Sequence, residues 1–174
     1  KQGGLLIIDE SFMDSTPECG FRDNIQNRNV IIIRSFGKFF GLPGLRLGFL
    51  YGNSRYIREI EKSIGPWPIS SSSIEIGIKA LQDDKWILKT ISELKSNSGK
   101  LSDLFSSLNI KIVGRTNYFI LIEYDDAILL NNMLARKGIW TRSFSYNSKW
   151  LRIGLPRNAL EFKYLSNTLV SIIG

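Results

Sequence analysis

Short, continuous apolar runs open the chain and are separated by polar segments. Residues 5–8 end in two carboxylates, and residues 30–33 end in an arginine and a serine. Apolar runs of this length, rich in Ile and Val, are typical of strands buried on both faces, as in a parallel sheet covered by helices. Residues 45–50 supply a third candidate strand. This part of the chain therefore predicts a piece of a mostly parallel sheet.

The apolar positions change to a helical period after residue 53. The pattern predicts three helices, at 54–64, 72–81 and about 83–108. Asn53 or Ser54 is expected to cap the first helix, and the segment after it, which begins Gly65-Pro66, to end it. The third helix carries a long apolar stripe that predicts a core, and the polar, glycine-containing stretch 95–100 allows a bend or break.

The last third of the chain alternates between the two patterns. Four strands are predicted, at 110–113, 118–122, 139–142 and 150–153, and two helices, at 126–137 and from Asn158 onward. Gly138 is expected to end the first of these helices, and Glu161 to complete a capping box with Asn158. We therefore expect an α/β fold in three parts: sheet region 1–66, connecting helices 67–108 and a small α+β domain 109–174.

The composition excludes several classes of site. The 174 residues include one cysteine and no histidine. A disulfide scaffold, a zinc or haem site and a histidine-activated nucleophile are therefore not expected, and proton transfer must use Lys, Tyr, Asp or Glu. No apolar run approaches the ~18 residues that a membrane-spanning helix needs.

The net charge of +7, from 23 basic and 16 acidic residues, points to an anionic partner. The basic residues are scattered and form no block, which favours a solvated surface or a small phosphorylated ligand over nucleic acid or a membrane. Nucleic-acid binding, the alternative, would show a steep dependence on salt concentration.

Four polar side chains follow the ends of the first two predicted strands. Asp9 ends the first strand, while Ser35, Lys38 and Arg46 follow the second across a segment rich in glycine. The carboxyl ends of parallel strands converge on a ligand crevice. A partly desolvated lysine becomes a nucleophile for a carbonyl, and arginine with serine suits a phosphate. A cofactor with an aldehyde, a basic ring nitrogen and a phosphate would use all four side chains.

These motifs carry a family resemblance. The sequence IIDESF at 7–12, with SFGK at 35–38 and GLRLG at 44–48, resembles the fold-type I pyridoxal-phosphate enzymes of the aminotransferase class I/II superfamily. The stretch DESFMDSTPE at 9–18 and GPW at 65–67 are most similar to the cobalamin-pathway threonine-phosphate decarboxylases, with histidinol-phosphate aminotransferases as further relatives. The resemblance covers nearly the whole chain and implies the C-terminal part of the type I aminotransferase fold.

The resemblance implies a role for each cofactor-site residue. Lys38 matches the lysine that holds pyridoxal 5'-phosphate covalently, and Asp9 the carboxylate that pairs with the ring nitrogen and keeps the ring able to accept electrons. Ser35 and Arg46 match ligands of the cofactor phosphate. Phe12 stands where aminotransferases usually have a tyrosine, which is more typical of the decarboxylase group.

Two arginines match the substrate site of the same relatives. Arg152 matches the arginine that binds the substrate α-carboxylate, and Arg142 lies where the phosphate of a phosphorylated substrate is bound; an exposed arginine at a strand end is the alternative for Arg142. The family cofactor site also uses a glycine-rich turn, a stacking aromatic and an asparagine that precede the Asp9 strand, and the given sequence does not contain them. Gly37 replaces a serine that is common in the histidinol-phosphate relatives, so one phosphate donor is missing.

The resemblance implies decarboxylation of a phosphorylated amino acid, most specifically O-phosphothreonine, by a homodimer. A cytoplasmic location is expected from the single cysteine and from the lack of a signal-peptide pattern. An aminotransferase acting on histidinol phosphate is the first alternative. The second alternative is an inactive fragment that lacks half of the cofactor site and binds the cofactor weakly or not at all.

Overall fold

A computed structural model describes residues 3–21, 25 and 29–173. The chain divides into two compact units, 1–90 and 91–174, and the division falls inside a long helix. Each unit has its own sheet, and we describe each separately. Within the described residues, no helix combines the length and the apolar character needed to cross a membrane.

The sheet of the first unit has three strands in the order β1-β2-β3. They span Leu6–Asp9, Val30–Ser35 and Gly48–Gly52. β1 pairs with β2 in parallel, with Asp9 opposite Ile33, and β3 pairs with β2 antiparallel, with Gly48 opposite Ser35. Both registers bring the polar residues that follow the strands to one end of the sheet.

Two expectations for this sheet are wrong. β1 was expected to be buried on both faces, but Leu6 and Ile7 of this edge strand are 54% and 59% exposed, and the buried positions of the sheet lie on the central β2. The third strand begins three residues later than expected. Pro43–Leu45 forms a 3-10 turn and Arg46 is left-handed, so the chain becomes extended only at Gly48.

Three helices follow the predicted pattern closely: α2 (Ser54–Ile64), α3 (Ser71–Leu81) and α4 (Asp84–Ser107). The short helix α1 (Phe36–Phe39) precedes them and was not predicted, because it lies in the glycine-rich segment after β2. Asn53 caps α2 by accepting a hydrogen bond from the Arg55 N–H at 2.9 Å, and Gly65 ends it with a positive φ of 79°. The predicted boundaries of α2 are therefore confirmed.

The long helix α4 continues without a break through residues 95–100. Ser98 lies in this stretch, is buried and donates a hydrogen bond to the Thr116 carbonyl at 2.7 Å. Leu101 and Phe105 on the predicted stripe are fully buried, whereas Trp86 is 39% exposed and stacks on Phe40. The apolar stripe of α4 therefore contributes to a core only toward the C-terminal end of the helix.

The second unit is an antiparallel sheet with helices. Its strands and helices in chain order are β4 (Lys111–Arg115), β5 (Phe119–Glu123), α5 (Ala127–Arg136), β6 (Arg142–Phe144), β7 (Asn147–Gly154) and α6 (Ala159–Ile173). The strand order is β4-β5-β7-β6. Ile120 and Ile122 of β5 face a core that also contains Leu130 of α5, Leu151 of β7 and Leu169 of α6.

The termini of the last elements refine the predictions. The strand expected at 139–142 begins only at Arg142, because Gly138 ends the preceding turn with a φ of 75° and residues 139–141 connect it to the sheet. Asn158 accepts a hydrogen bond from the Glu161 N–H at 2.9 Å, and Glu161 accepts one from the Arg157 N–H at 2.8 Å. The bond to Asn158 is that of a standard capping box, whereas the Glu161 carboxylate binds the N–H of the residue before the N-cap instead of the N-cap N–H.

We expect Phe105→Ala to destabilise the second unit by about 3–5 kcal/mol, because truncation leaves a cavity among fully buried side chains. Urea denaturation followed by circular dichroism measures the change. Leu160→Ala is the control: Leu160 is 80% exposed, and its loss should change the unfolding free energy by less than about 0.5 kcal/mol. Equal effects of the two substitutions would contradict this core.

Candidate functional site

Lys38 is carried by a single helical turn at the end of β2. Phe36 and Phe39 of this turn are buried and anchor it, while Lys38 is exposed. A Cβ on Gly37 would lie 2.9 Å from Cα of Pro43, closer than backbone atoms tolerate. A serine at position 37 would therefore force the turn away from the Pro43 loop, which is a physical reason for glycine here.

A cavity of about 260 Å³ lies beside this turn. Ser35, Lys38 and Arg46 line it, and the rest of the lining is Arg34, Gly37, Pro43, Leu47 and Gly48. Residues that carry a hydroxyl, an ammonium and a guanidinium therefore border one space, as expected for an anion site. The structure thus brings together three of the residues singled out from the sequence.

Arg46 adopts a backbone conformation that is uncommon for a side chain larger than glycine. Its φ is 52° and its ψ is 35°, in the left-handed region. This conformation costs roughly 1–2 kcal/mol for a non-glycine residue. The guanidinium donates a hydrogen bond to the Pro43 carbonyl at 3.2 Å, and the Arg46 N–H donates to the same oxygen at 3.3 Å. Both contacts fold the arginine back over its own turn.

Asp9 ends β1 and is exposed, with its carboxylate held by Ser11. The Ser11 N–H donates to Oδ1 at 2.8 Å, and the Ser11 hydroxyl donates to the same oxygen. The pKa of Asp9 is lowered. The Ser11 hydroxyl is the largest cause, followed by the Ser11 N–H and then by the nearby charge of Lys38. Lys38 Nζ lies 5.6 Å from the centre of the Phe12 ring. Asp9, Phe12 and Lys38 therefore form a second group that shares Lys38 with the cavity.

Three charged residues next to this group were missed by the sequence analysis. Arg34 donates to Asp14 at 2.6 Å with both side chains largely buried; burial raises the pKa of Asp14, and Arg34 opposes the rise. Glu10 is 1% exposed and accepts a hydrogen bond from the Phe21 N–H at 2.6 Å. Charged residues that follow a strand are usually solvated, so no sequence signal indicated this burial.

The second unit carries two arginines on paired strands. Arg142 on β6 lies opposite Arg152 on β7 in the sheet register. The guanidinium of Arg152 lies 4.6 Å from the centre of the Phe119 ring, and that of Arg142 lies 5.5 Å from the Phe144 ring. The pKa of Arg152 is lowered, mainly by burial of the side chain and to a smaller extent by the charge of Arg142.

Like charges directly opposite on neighbouring strands repel each other. In the described part of the chain, no carboxylate lies within ion-pair distance of Arg142 or Arg152. An anion bound between two such guanidinium groups would relieve the repulsion. The pair is therefore a candidate site for an anionic group.

Comparison with known protein families identifies the family of the chain. The model of the aminotransferase class I and II family matches residues 1–165, so the chain belongs to this family. A threonine-phosphate decarboxylase from a Sinorhizobium species is 36% identical over 96% of this chain and 50% of its own length. A histidinol-phosphate aminotransferase from Legionella pneumophila strain Paris is 33% identical over 83% of this chain and 40% of its own length.

The fold has a solved counterpart. The crystal structure of histidinol-phosphate aminotransferase from Sinorhizobium meliloti, in complex with pyridoxal-5'-phosphate, matches 97% of this chain and 48% of its own length with a TM-score of 0.80 and 19% identity. The expected type I aminotransferase fold is therefore confirmed. The chain spans about half the length of the relatives that it matches.

We expect Ser11→Ala to raise the pKa of Asp9 toward its ordinary value, because the hydroxyl is the largest cause of the lowering. Carboxyl-carbon NMR titration of Asp9 measures the change. Lys38→Met should raise the same pKa by less, since charge is the smaller cause; the reverse order would contradict this account. Folding lowers the pKa of Asp9, so the ionised carboxylate stabilises the folded protein at pH values above the ordinary pKa of aspartate. This stabilisation is lost as the pH falls through the lowered pKa of the folded state.

Proposed function

We propose that the protein is, or is part of, a pyridoxal-phosphate-dependent enzyme that decarboxylates a phosphorylated amino acid, most specifically O-phosphothreonine in cobalamin biosynthesis. The observation that carries the proposal is the cavity shared by Ser35, Lys38 and Arg46. Family membership supports the class of enzyme, and the decarboxylase relative supports the reaction.

The side chains around the cavity fit the chemistry of this cofactor. A phosphate needs hydrogen-bond donors and positive charge, which Ser35 and Arg46 supply. An aldehyde needs an amine, which Lys38 supplies. A protonated ring nitrogen needs an ionised carboxylate, and the lowered pKa of Asp9 keeps its carboxylate ionised. The bound cofactor would supply an aldehyde for amines and a ring that accepts the electron pair of a broken bond at the substrate α-carbon.

Each residue of the site then has a distinct task. Lys38 would hold the cofactor through its amine, and the same amine would move a proton at the substrate α-carbon. Asp9, oriented by Ser11, holds a proton on the ring nitrogen. Phe12 contacts the Lys38 ammonium through its ring face and offers no hydroxyl. The difference from the tyrosine usual in aminotransferases favours decarboxylation.

The arginine pair is assigned to the substrate. Arg152 would bind the α-carboxylate in a bidentate manner, and Arg142 would bind the side-chain phosphate. In decarboxylation the bond between the α-carbon and the carboxylate breaks, carbon dioxide leaves, and a proton takes its place to give an aminopropanol phosphate. In the alternative, transamination of histidinol phosphate, Lys38 would remove the α-proton instead. The aminotransferase relative keeps this alternative open.

We expect pyridoxal phosphate to react with Lys38 in preference to the other lysines. Borohydride treatment followed by peptide mass spectrometry locates the pyridoxyl group, and this trapping detects weak binding as well as tight binding. Arg46→Gln should lower the labelling of Lys38 at least tenfold, since it removes the guanidinium from the cavity.

Lys79 is the internal control for this labelling. It is exposed and forms an ion pair with Glu75 at 2.8 Å, so its labelling should be low and unchanged by Arg46→Gln. Equal labelling of Lys38 and Lys79 would contradict a cofactor site at Lys38.

We expect the protein loaded with pyridoxal phosphate to release carbon dioxide from O-phosphothreonine. Arg142→Gln should raise KM for this substrate at least tenfold with a smaller change in kcat, because the phosphate is bound but does not react. Substrate consumption and carbon dioxide are measured together. Amino transfer from histidinol phosphate, with no carbon dioxide from O-phosphothreonine, would replace the decarboxylase by the aminotransferase.

A further inference from the structure

A buried serine outside the cavity contacts the loop that carries Arg46. Ser73, in the first turn of α3, is 5% exposed. Its hydroxyl donates a hydrogen bond to the Leu45 carbonyl at 2.9 Å, across 28 residues of sequence. The Ser73 hydroxyl also lies 2.8 Å from the Ser70 hydroxyl. α3 is therefore tied to the residue immediately before Arg46.

The residue immediately after Arg46 is held as well. The Leu47 carbonyl accepts a hydrogen bond from the Phe36 N–H at 3.2 Å. A Cβ on Gly77 would lie 2.7 Å from Cδ2 of Leu47, so α3 approaches this side chain as closely as glycine permits. Both neighbours of Arg46 are thus held. Leu45 is bound by Ser73 of α3 and by its own N–H, which donates to the Leu42 carbonyl at 3.2 Å, and Leu47 is held by α3 and the Lys38 turn.

The restraint on Leu45 and Leu47 matters because the backbone of Arg46 is in the left-handed region. An extended or helical backbone at this position would be favoured for an isolated arginine, and it would point the guanidinium elsewhere. The peptide between Leu45 and Arg46 must rotate for that change to occur. The hydrogen bond from Ser73 opposes this rotation, because the Leu45 carbonyl belongs to the same peptide.

We propose that Ser73 is a positioning residue that holds Arg46 in its left-handed conformation, so that the guanidinium faces the anion in the Lys38 cavity. The proposal rests on the proposed function for the identity of the anion as the cofactor phosphate. Its structural part, the restraint on the backbone of Arg46, is independent of any ligand. Ser73 contacts neither Lys38 nor the cavity, so it acts through Arg46.

The Ser70 cap separates this role from simple helix stabilisation. Ser70 accepts a hydrogen bond from the Ser73 N–H at 3.1 Å, and this contact uses the backbone of Ser73. Ser73→Ala therefore keeps the cap acceptor of α3 and removes both the bond to Leu45 and the hydroxyl contact with Ser70. Ser72→Ala is the matched control, since Ser72 is exposed and its hydroxyl lies 3.0 Å from that of Ser70.

The first experiment measures the restraint without ligand. The Arg46 N–H donates to the Pro43 carbonyl at 3.3 Å, so its hydrogen exchange reports opening of the turn. We expect Ser73→Ala to accelerate exchange of this amide about fivefold, the effect of losing one neutral hydrogen bond, and Ser72→Ala to leave it unchanged. An unchanged exchange rate in folded Ser73→Ala protein would overturn the proposal, whether or not the protein binds pyridoxal phosphate.

The second experiment measures the consequence for the anion. Labelling of Lys38 as a function of pyridoxal phosphate concentration should show an affinity about fivefold lower for Ser73→Ala than for the original chain. In an Arg46→Gln background, Ser73→Ala should cause no further loss, because the group that it positions is gone. A full additional loss would show that Ser73 acts by another route and would overturn the proposal. Faster exchange with no labelling of Lys38 in any variant would support the backbone restraint and contradict the proposed function instead.

Discussion

The parallel pairing of β1 with β2 is the constraint on which the first unit depends. It places Asp9 opposite Ile33, so the carboxylate ends its strand beside the segment that continues to Ser35. The antiparallel return of β3 then places Gly48 opposite Ser35. A shift of one residue in either register would turn alternate side chains to the other face and separate the groups of the site. The grouping of these polar side chains is therefore a consequence of strand alignment.

Unpaired positive charge is the second common feature. In the described residues, none of the ion pairs involves Lys38, Arg46, Arg142 or Arg152, whereas several exposed lysines elsewhere are paired with carboxylates. Cations that face each other or share a cavity lose energy by repulsion, and binding an anion recovers it. Part of the net charge of +7 is thus concentrated at two places, the cavity with Lys38 and Arg46 and the strand pair with Arg142 and Arg152.

Much of this arrangement could be predicted from the sequence. Ile57, Ile60 and Ile64 repeat at a helical period, and Asn53 and Gly65 supply the end signals, so local physics suffices to define α2. The family motif likewise identified Ser35, Lys38 and Arg46. The start of β3 was misplaced because a left-handed arginine has no sequence signature, unlike a glycine.

Long-range contacts account for what the sequence could not reveal. Ser73 belongs to a run of four serines. Its burial and its hydrogen bond to the Leu45 carbonyl distinguish it from its neighbours, and neither can be read from the sequence. The burial of Glu10 and the pairing of Arg34 with Asp14 depend in the same way on tertiary packing. The exposed apolar side chains of β1 show that composition predicts a strand but not what covers it.

The left-handed backbone conformation of Arg46 places two requirements in conflict at one position, the stability of the fold and the binding of an anion in the cavity. Glycine would adopt this φ without strain and would relieve roughly 1 kcal/mol, but it would remove the guanidinium from the cavity. Selection for stability alone would therefore favour glycine at position 46, whereas selection for anion binding in the cavity would favour arginine. A survey of thermostable variants that ignored ligand binding would enrich the change that disables the site.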